Sequence, residues 1–251
     1  MPIEIIPVYG FPIIKPGDDI ADLVIKSMKT SNNPLKNGDI LVLCHVIISR
    51  SEGNIINLKE IKPSLIAENF AIYTGKDPRL VEVILRESRA VRRMVPGILV
   101  TETHQGFVCA NSGVDKSNVP GDDFVSPLPK DSDQSANAIR NRLWMLYGVD
   151  VAVIIADTHG RAHRDGEVNV AVGSSGLEVI LDRRGDHDLF GYELKVKRTA
   201  VADELAAAAE LVIGQADEGI PAAIIRGYTY LKSEKSNARQ LVRSRENDLF
   251  L

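Results

Sequence analysis

Short runs of apolar and β-branched residues alternate along the chain with longer segments whose apolar positions recur at helical spacing. The runs predict strands at residues 3–8, 39–49, 97–103, 107–110, 151–156 and 222–226. The helical segments are residues 19–28, 63–73, 78–94, 135–147 and 203–213. Because strands and helices alternate, we predict a mixed α/β fold.

Local signals refine several of these elements. The turn at residues 104–106 is short enough for strands 97–103 and 107–110 to form a hairpin. Asp133 and Ser135 are candidate N-caps for helix 135–147, and Gly148 ends it. The loop 122–131, rich in proline and aspartate, is the one candidate seam, so we treat residues 1–251 as a single unit of two subdomains.

Composition narrows the class of protein. A formal net charge of −4 argues against a general nucleic-acid binder, and no apolar run approaches the ~20 residues needed to cross a membrane. The first four residues lack the basic and apolar regions of a signal peptide. Cys44 and Cys109 lie in strand-like runs, which favours buried thiols over a disulfide or a metal pair. We therefore expect a cytoplasmic protein that binds neither nucleic acid nor membranes.

The most informative segment is residues 157–166, DTHGRAHRDG, which follows the apolar run 151–156. A polar cluster at the end of a buried strand is where α/β proteins place ligands. Oxygen ligands beside guanidinium groups suit a metal-bound phosphate. The alternative is an ordinary polar turn after a strand.

Three loops each follow an apolar run and carry carboxylate, hydroxyl or amide oxygens: residues 110–118, 157–166 and 215–219. If they converge, Asp115, Asp157, Thr158 and Gln215 offer hard oxygen ligands for Mg²⁺ or Mn²⁺. Two carboxylates from separate loops suit a pair of ions bridged by nucleotide phosphates. The alternative for any single aspartate is a turn or capping residue.

Several familiar sites are absent or disfavoured. The glycines near Lys116 are out of register for a P-loop, and no G-x-G-x-x-G follows a strand. No G-x-S-x-G elbow supports a serine hydrolase. His159 and His163 would suit zinc on a helix, but Gly160 lies between them in a loop.

Arg161 and Arg164 are candidates for binding a phosphodiester or carboxylate of a substrate. The alternative is a pair of exposed loop arginines.

These motifs resemble the coenzyme F420:L-glutamate ligases, also called F420-0:γ-glutamyl ligases, over nearly the whole chain. The matching segments are residues 6–8, 10–19, 45–53, 106–118, 157–166 and 214–226. The resemblance implies two interlocked subdomains that are neither a P-loop nor an ATP-grasp fold, and a homodimer. It implies a ligase that uses GTP to add L-glutamate to the terminal carboxylate of F420-0, and then further γ-linked glutamates, through an acyl phosphate. The implied ions are Mg²⁺ or Mn²⁺, two of them, together with K⁺.

Carried onto this sequence, the resemblance implies metal ligands at Asp115, Asp157, Thr158 and Gln215. It implies catalytic roles for Asp157, Asp115 and Arg50. The implied GTP-contacting residues are Phe11, Pro12, Ile13, Ile14, His45, Val46, Arg50, Asn118, Ile213, Gly214, Gln215, Ala216, Asp217, Glu218, Gly219 and Ile220.

Two positions depart from the family pattern. Arg50 stands where many members have lysine, and the two cations differ in geometry. Gln215 stands where some members have glutamate, so its oxygen brings less charge to a metal. The open alternatives are another metal- and nucleotide-dependent acid–amine ligase or phosphotransferase, and a non-catalytic nucleotide-binding module.

Overall fold

The computed structural model describes residues 2–248 of the chain; Met1 and residues 249–251 lie outside this range. The helices are α1 (Ile20–Thr30), α2 (His45–Ser51), α3 (Leu65–Thr74), α4 (Pro78–Arg86), α5 (Ser132–Tyr147) and α6 (Val201–Ile213). The strands are β1 (Glu4–Pro7), β2 (Ile40–Cys44), β3 (Ile56–Asn57), β4 (Ser88–Val95), β5 (Ile98–Thr103), β6 (Val108–Ala110), β7 (Phe124–Val125), β8 (Ala152–Arg161), β9 (Arg164–Ser175), β10 (Leu181–Asp182), β11 (Arg198–Thr199) and β12 (Ala222–Arg226). The predicted α/β class is confirmed.

The main sheet has five strands in the order β1-β12-β2-β8-β9. β2 and β8 run parallel, and every other neighbouring pair is antiparallel. Successive side chains of a strand point to opposite faces. Leu41 and Leu43 therefore join the core that holds α1 and α5, whereas Ile40 and Val42 join the core beneath α6. Burial on both faces explains why β2 reads as a continuous apolar run.

A second, smaller core lies outside this sheet. It is built from α3, α4 and the three-stranded sheet β4-β5-β6, around buried residues such as Ile84 and Leu99. The loop 122–131 carries the chain between the two cores, since Val125 is buried in the smaller core and Leu128 in the main one. The division into two subdomains and its seam stays a prediction.

One local expectation is confirmed, since β5 and β6 form the antiparallel hairpin. Asp19 caps α1 by accepting a hydrogen bond from the Asp22 backbone amide at 3.1 Å. Gly148 ends α5 as predicted, but the predicted N-caps are wrong, because the helix begins earlier, at Ser132. Its N-cap is Asp131, whose carboxylate accepts from the Gln134 amide at 3.0 Å.

Two expected elements are each split. The run 39–49 is not one strand, because β2 ends at Cys44 and α2 begins at His45. Helical winding buries Ile47 and Ile48 in the main core, and this packing overrides their preference for strands. The segment 78–94 is not one helix, because α4 ends at Arg86 and burial alternates along β4.

The segment 157–166 is also not a loop at a strand's end. β8 continues through Asp157 to Arg161, and β9 returns antiparallel to it from Arg164. β9 was not predicted from the sequence. The polar residues therefore lie in the part of the β8-β9 hairpin that extends beyond the buried apolar residues 152–156. A register shift between Ile155 and Ala156 lies near the boundary between the apolar and polar parts.

Candidate active site

A cavity of about 610 Å³ opens where β2 and β8 end their parallel pairing, at Cys44 and Ala156. Loops beyond the carboxyl ends of parallel strands are the usual ligand sites of α/β sheets. Its walls come from residues 11–14, 44–47 and 50, from most of the loop 110–118, from residues 156–160, 167 and 169, and from residues 213–216 and 218–221. All three oxygen-bearing loops singled out in the sequence therefore contribute to one cavity.

Asp157 lies between two histidines on the cavity floor. Its Oδ1 is 3.3 Å from Nε2 of His45, and its Oδ2 is 2.9 Å from Nε2 of His159. Burial alone would raise the pKa of Asp157, but the two imidazoles outweigh burial and hold that pKa well below its usual range. Burial likewise opposes protonation of His159, whereas its contacts with Asp157 and Cys109 raise its pKa. Asp157 is therefore a carboxylate that stays ionised.

Thr158 and Gln215 lie 57 positions apart in the sequence and are brought together in the structure. The Thr158 hydroxyl lies 3.0 Å from Oε1 of Gln215 and 2.8 Å from Oδ1 of Asn169. One hydroxyl proton serves one acceptor at a time, so the group keeps oxygen lone pairs for a cation. Glu210 anchors the network, because its carboxylate accepts a hydrogen bond from Nε2 of Gln215 at 2.5 Å and one from the backbone amide of Asn169 at 2.7 Å.

Asp115 reaches the cavity from the loop after β6. Its carboxylate accepts from the Ser117 amide at 2.6 Å and from the Ser117 hydroxyl at 2.9 Å. Its backbone pairs with Ser126 as an isolated antiparallel bridge. The loop bends sharply beforehand, with positive φ at Asn111, Ser112 and Gly113. A turn of this kind carries the chain back so that Asp115 lines the same cavity as Asp157.

Arg50 ties together two walls of the cavity. Its Nε donates to the carbonyl of Ile14 at 3.1 Å, and its Nη1 donates to the carbonyl of Asn118 at 2.9 Å. These bonds hold the 11–14 segment against the 110–118 loop. The fork of donors in a guanidinium suits this bridging, which a single ammonium group would satisfy less completely.

The oxygen donors fit a divalent cation of the Mg²⁺ or Mn²⁺ type. Burial, then the negative charges of Asp157, Glu210 and Asp115, raise the pKa of the Cys44 thiol to about 12. The same field favours a cation. Oδ1 of Asn111 is buried and has no hydrogen-bond partner among the described residues, which leaves an oxygen available at the cavity wall.

No group of three or more His, Cys, Asp or Glu side chains suited to a metal occurs within residues 2–248. The predicted set instead contains two carboxylates, one hydroxyl and one amide, and all four residues line the cavity. The zinc alternative loses its geometric basis, because His159 lies in β8 and His163 in the hairpin turn.

Most of the other predicted positions also line this cavity. They are Phe11, Pro12, Ile13, Ile14, His45, Val46, Arg50, Asn118, Ile213, Gly214, Ala216, Glu218, Gly219 and Ile220. Asp217 is not part of the lining, and neither are Arg161 and Arg164, which sit at the hairpin tip. Asn169 and Glu210 were not among the predicted positions, and Asn111, within the predicted loop 110–118, had no assigned role.

Cys44 and Cys109 are free thiols, and no helix among the described residues is long and apolar enough to cross a membrane.

Comparisons with known proteins identify the family of the chain. The family model described as F420-0:Gamma-glutamyl ligase matches residues 10–227. A coenzyme F420:L-glutamate ligase of Methanothermobacter thermautotrophicus is 52% identical over 252 residues, covering 100% of this chain and 99% of the relative. Ligases of the same name from Methanopyrus kandleri and Methanocaldococcus jannaschii are 50% and 44% identical, covering 94% and 95% of this chain and 93% of each relative. The chain therefore belongs to the F420-0:γ-glutamyl ligase family.

Proposed function

We propose that this chain is a GTP-dependent ligase that adds L-glutamate to the terminal carboxylate of F420-0 and then adds further γ-linked glutamates. Its family membership supports the ligase reaction. The observation that carries the nucleotide and metal chemistry is the convergence of Asp115, Asp157, Thr158 and Gln215 on one cavity with the 11–14 and 213–220 segments.

A carboxylate is a poor acyl donor at neutral pH, so the reaction needs an activated intermediate. In the proposed first step, a carboxylate oxygen of F420-0 forms a bond to the γ-phosphorus of GTP as the bond to the bridging oxygen breaks and GDP leaves. In the second step, the amine of L-glutamate attacks the acyl carbon. The carbon–oxygen bond to phosphate breaks, the amine loses a proton, and phosphate leaves with one oxygen of the original carboxylate.

The protein's own contribution to this scheme is binding and orientation. Asp115, Asp157, Thr158 and Gln215 would hold the divalent ions, which when bound neutralise the phosphate charges. His45 and His159 keep Asp157 ionised and oriented. Arg50 fixes the distance between the 11–14 segment and the 110–118 loop, the two walls that would enclose the nucleotide.

The proposal includes association of two copies of the chain. Leu189 and Phe190, on the arm between β10 and β11, are 100% and 96% exposed. Adjacent, fully exposed apolar side chains support burial against a partner. Light scattering on the purified chain would measure the mass directly; a mass of 27.5 kDa at working concentration would contradict the dimer.

The experiment that tests the reaction is mass spectrometry of F420-0 incubated with the purified chain, L-glutamate and Mn²⁺, with GTP, with ATP or with neither. We expect one or more glutamyl units added with GTP, and GDP formed in step. Glutamylation without nucleotide would contradict the phosphorylation scheme. GDP formation without glutamylation would point to a different acceptor at a working nucleotide site.

A further inference from the structure

A second cavity, of about 550 Å³, lies next to the first. Its walls come from β4, β5, the start of β6, the middle of β9 and the segment 239–248. His159 lines both cavities, so this one side chain lies between the two spaces. A volume of this size is typical of sites that enclose a ligand much larger than a single amino acid.

The second cavity is rich in positive charge, although the chain as a whole carries a net charge of −4. The arginines that line it, named here the arginine basin, are Arg89, Arg92, Arg239, Arg243 and Arg245. Three carboxylates share the lining, from Glu102, Asp203 and Asp248. The lining therefore has more cationic than anionic side chains, which favours an anionic ligand.

One end of the basin is held in place by a buried carboxylate. Glu102 is 3% exposed and forms ion pairs with both Arg89 and Arg92. Arg92 keeps a buried Nε without a hydrogen-bond partner among the described residues. A buried donor that lacks an acceptor is rare in folded proteins, and a ligand oxygen would satisfy it.

The other end of the basin is formed by arginines that are mostly not neutralised by carboxylates of the described residues. Arg243 and Arg245 are exposed and form no salt bridge within residues 2–248. Arg239, by contrast, pairs with Asp131 at 2.6 Å. Within residues 2–248 the guanidinium groups of Arg243 and Arg245 have no carboxylate partner, and guanidinium groups suit the oxygens of carboxylates or phosphates.

We propose that the arginine basin binds the anionic part of the acceptor substrate while the acceptor's terminal carboxylate passes His159 into the first cavity. This inference rests on the proposed ligase function for the identity of the acceptor. F420-0 carries a phosphodiester, and each γ-linked glutamate added to it leaves a free carboxylate. The acceptor is therefore a molecule with several anionic groups behind its reacting end, which is the chemistry the basin offers.

The test is steady-state kinetics of the double variant R243Q/R245Q, with K195Q/K197Q as the matched control. Lys195 and Lys197 are exposed and line neither cavity, so the control removes the same total charge elsewhere. We expect the KM for F420-0 to rise at least about tenfold in R243Q/R245Q, since charged hydrogen bonds are lost. We expect the KM for GTP to stay at the wild-type value, and K195Q/K197Q to behave as wild type.

Other outcomes overturn the inference in distinguishable ways. An unchanged KM for F420-0, or an equal rise in K195Q/K197Q, would rule out the basin as the acceptor site. A rise in the KM for L-glutamate alone would assign the basin to that dicarboxylate instead. Absence of glutamylation by the wild type would sink the ligase proposal. Calorimetric titration of F420-0 into wild type and R243Q/R245Q would then still decide whether the basin binds it.

Discussion

Replacing Glu210 by glutamine should weaken metal binding, although none of the predicted metal ligands is itself substituted. Glu210 lies in the last turn of α6. One of its carboxylate oxygens accepts from Nε2 of Gln215 at 2.5 Å, and the other accepts from the backbone amide of Asn169 at 2.7 Å. Asn169 and Gln215 both face the Thr158 hydroxyl. Glu210 therefore contacts one proposed ligand, Gln215, directly, and reaches a second, Thr158, through Asn169.

The magnitude follows from the hydrogen bonds at stake. A glutamine at position 210 has one acceptor oxygen, so one of the two bonds is lost and the survivor loses its charge. A hydrogen bond to a charged group contributes about 1.5–3 kcal/mol. Loss of a residue that orients a metal ligand typically lowers metal affinity about 10–100-fold. We expect E210Q to raise the Mn²⁺ concentration for half-maximal activity by a factor in that range.

The assay is the initial rate of GDP formation as Mn²⁺ is titrated at saturating GTP, F420-0 and L-glutamate. Glu204→Gln is the matched control, because Glu204 lies on the same helix with its side chain exposed and removes the same charge. At saturating Mn²⁺ the rate of E210Q should recover most of the wild-type value. An unchanged Mn²⁺ midpoint in E210Q, or an equal shift in E204Q, would refute the reasoning.

Three further substitutions have defined outcomes. Asp157→Asn should lower turnover by more than about 100-fold, which exceeds the typical loss when a residue that only orients a metal ligand is replaced. Its far-UV circular dichroism spectrum should stay unchanged. Arg226→Gln should cost about 3–5 kcal/mol in urea unfolding, because Arg226 pairs with Asp39, which is 2% exposed, through two hydrogen bonds of 2.8 and 2.6 Å. Gly173→Ala should cost about 1–3 kcal/mol in the same assay, because its Cβ would collide with the backbone of Ser132.

The two substitutions tested by unfolding each have a control. Arg183→Gln breaks an ion pair with Asp186 that is half exposed, so its unfolding free energy should stay within about 1 kcal/mol of wild type. Gly160→Ala lies in the same hairpin as Gly173 but has open space around it, so it should be nearly neutral. Full turnover in Asp157→Asn would contradict a metal-ligand role. Unfolding of Arg226→Gln or Gly173→Ala at the wild-type midpoint would contradict the packing argument.

The sequence predicted the class of the fold because its buried elements are strongly patterned. Strand β2, residues 152–156 of β8 and residues 222–225 of β12 are continuous apolar runs, and α6 has a clear apolar face. It failed where tertiary packing overrode local preference. Val46, Ile47 and Ile48 are β-branched and read as strand, yet they wind into α2 because that places the two isoleucines in the core.

The site was predicted in composition but not in geometry. The oxygen-bearing residues of the three loops stand out in the sequence, yet only the strand order brings Gln215 beside Thr158. Glu210 gave no local signal, because an acidic residue on a surface helix is ordinary. Asn169 was hidden in a strand that the sequence reading missed.

The most direct test of the account follows oxygen from the acceptor into phosphate. F420-0 labelled with ¹⁸O in both oxygens of its terminal carboxylate would be incubated with the purified chain, GTP, L-glutamate and Mn²⁺. The masses of the glutamylated product and of the released phosphate would be measured by mass spectrometry. The account predicts that each new amide bond appears together with one GDP and one phosphate that carries a single ¹⁸O atom. Amide formation with unlabelled phosphate, or no amide formation at all, would contradict it.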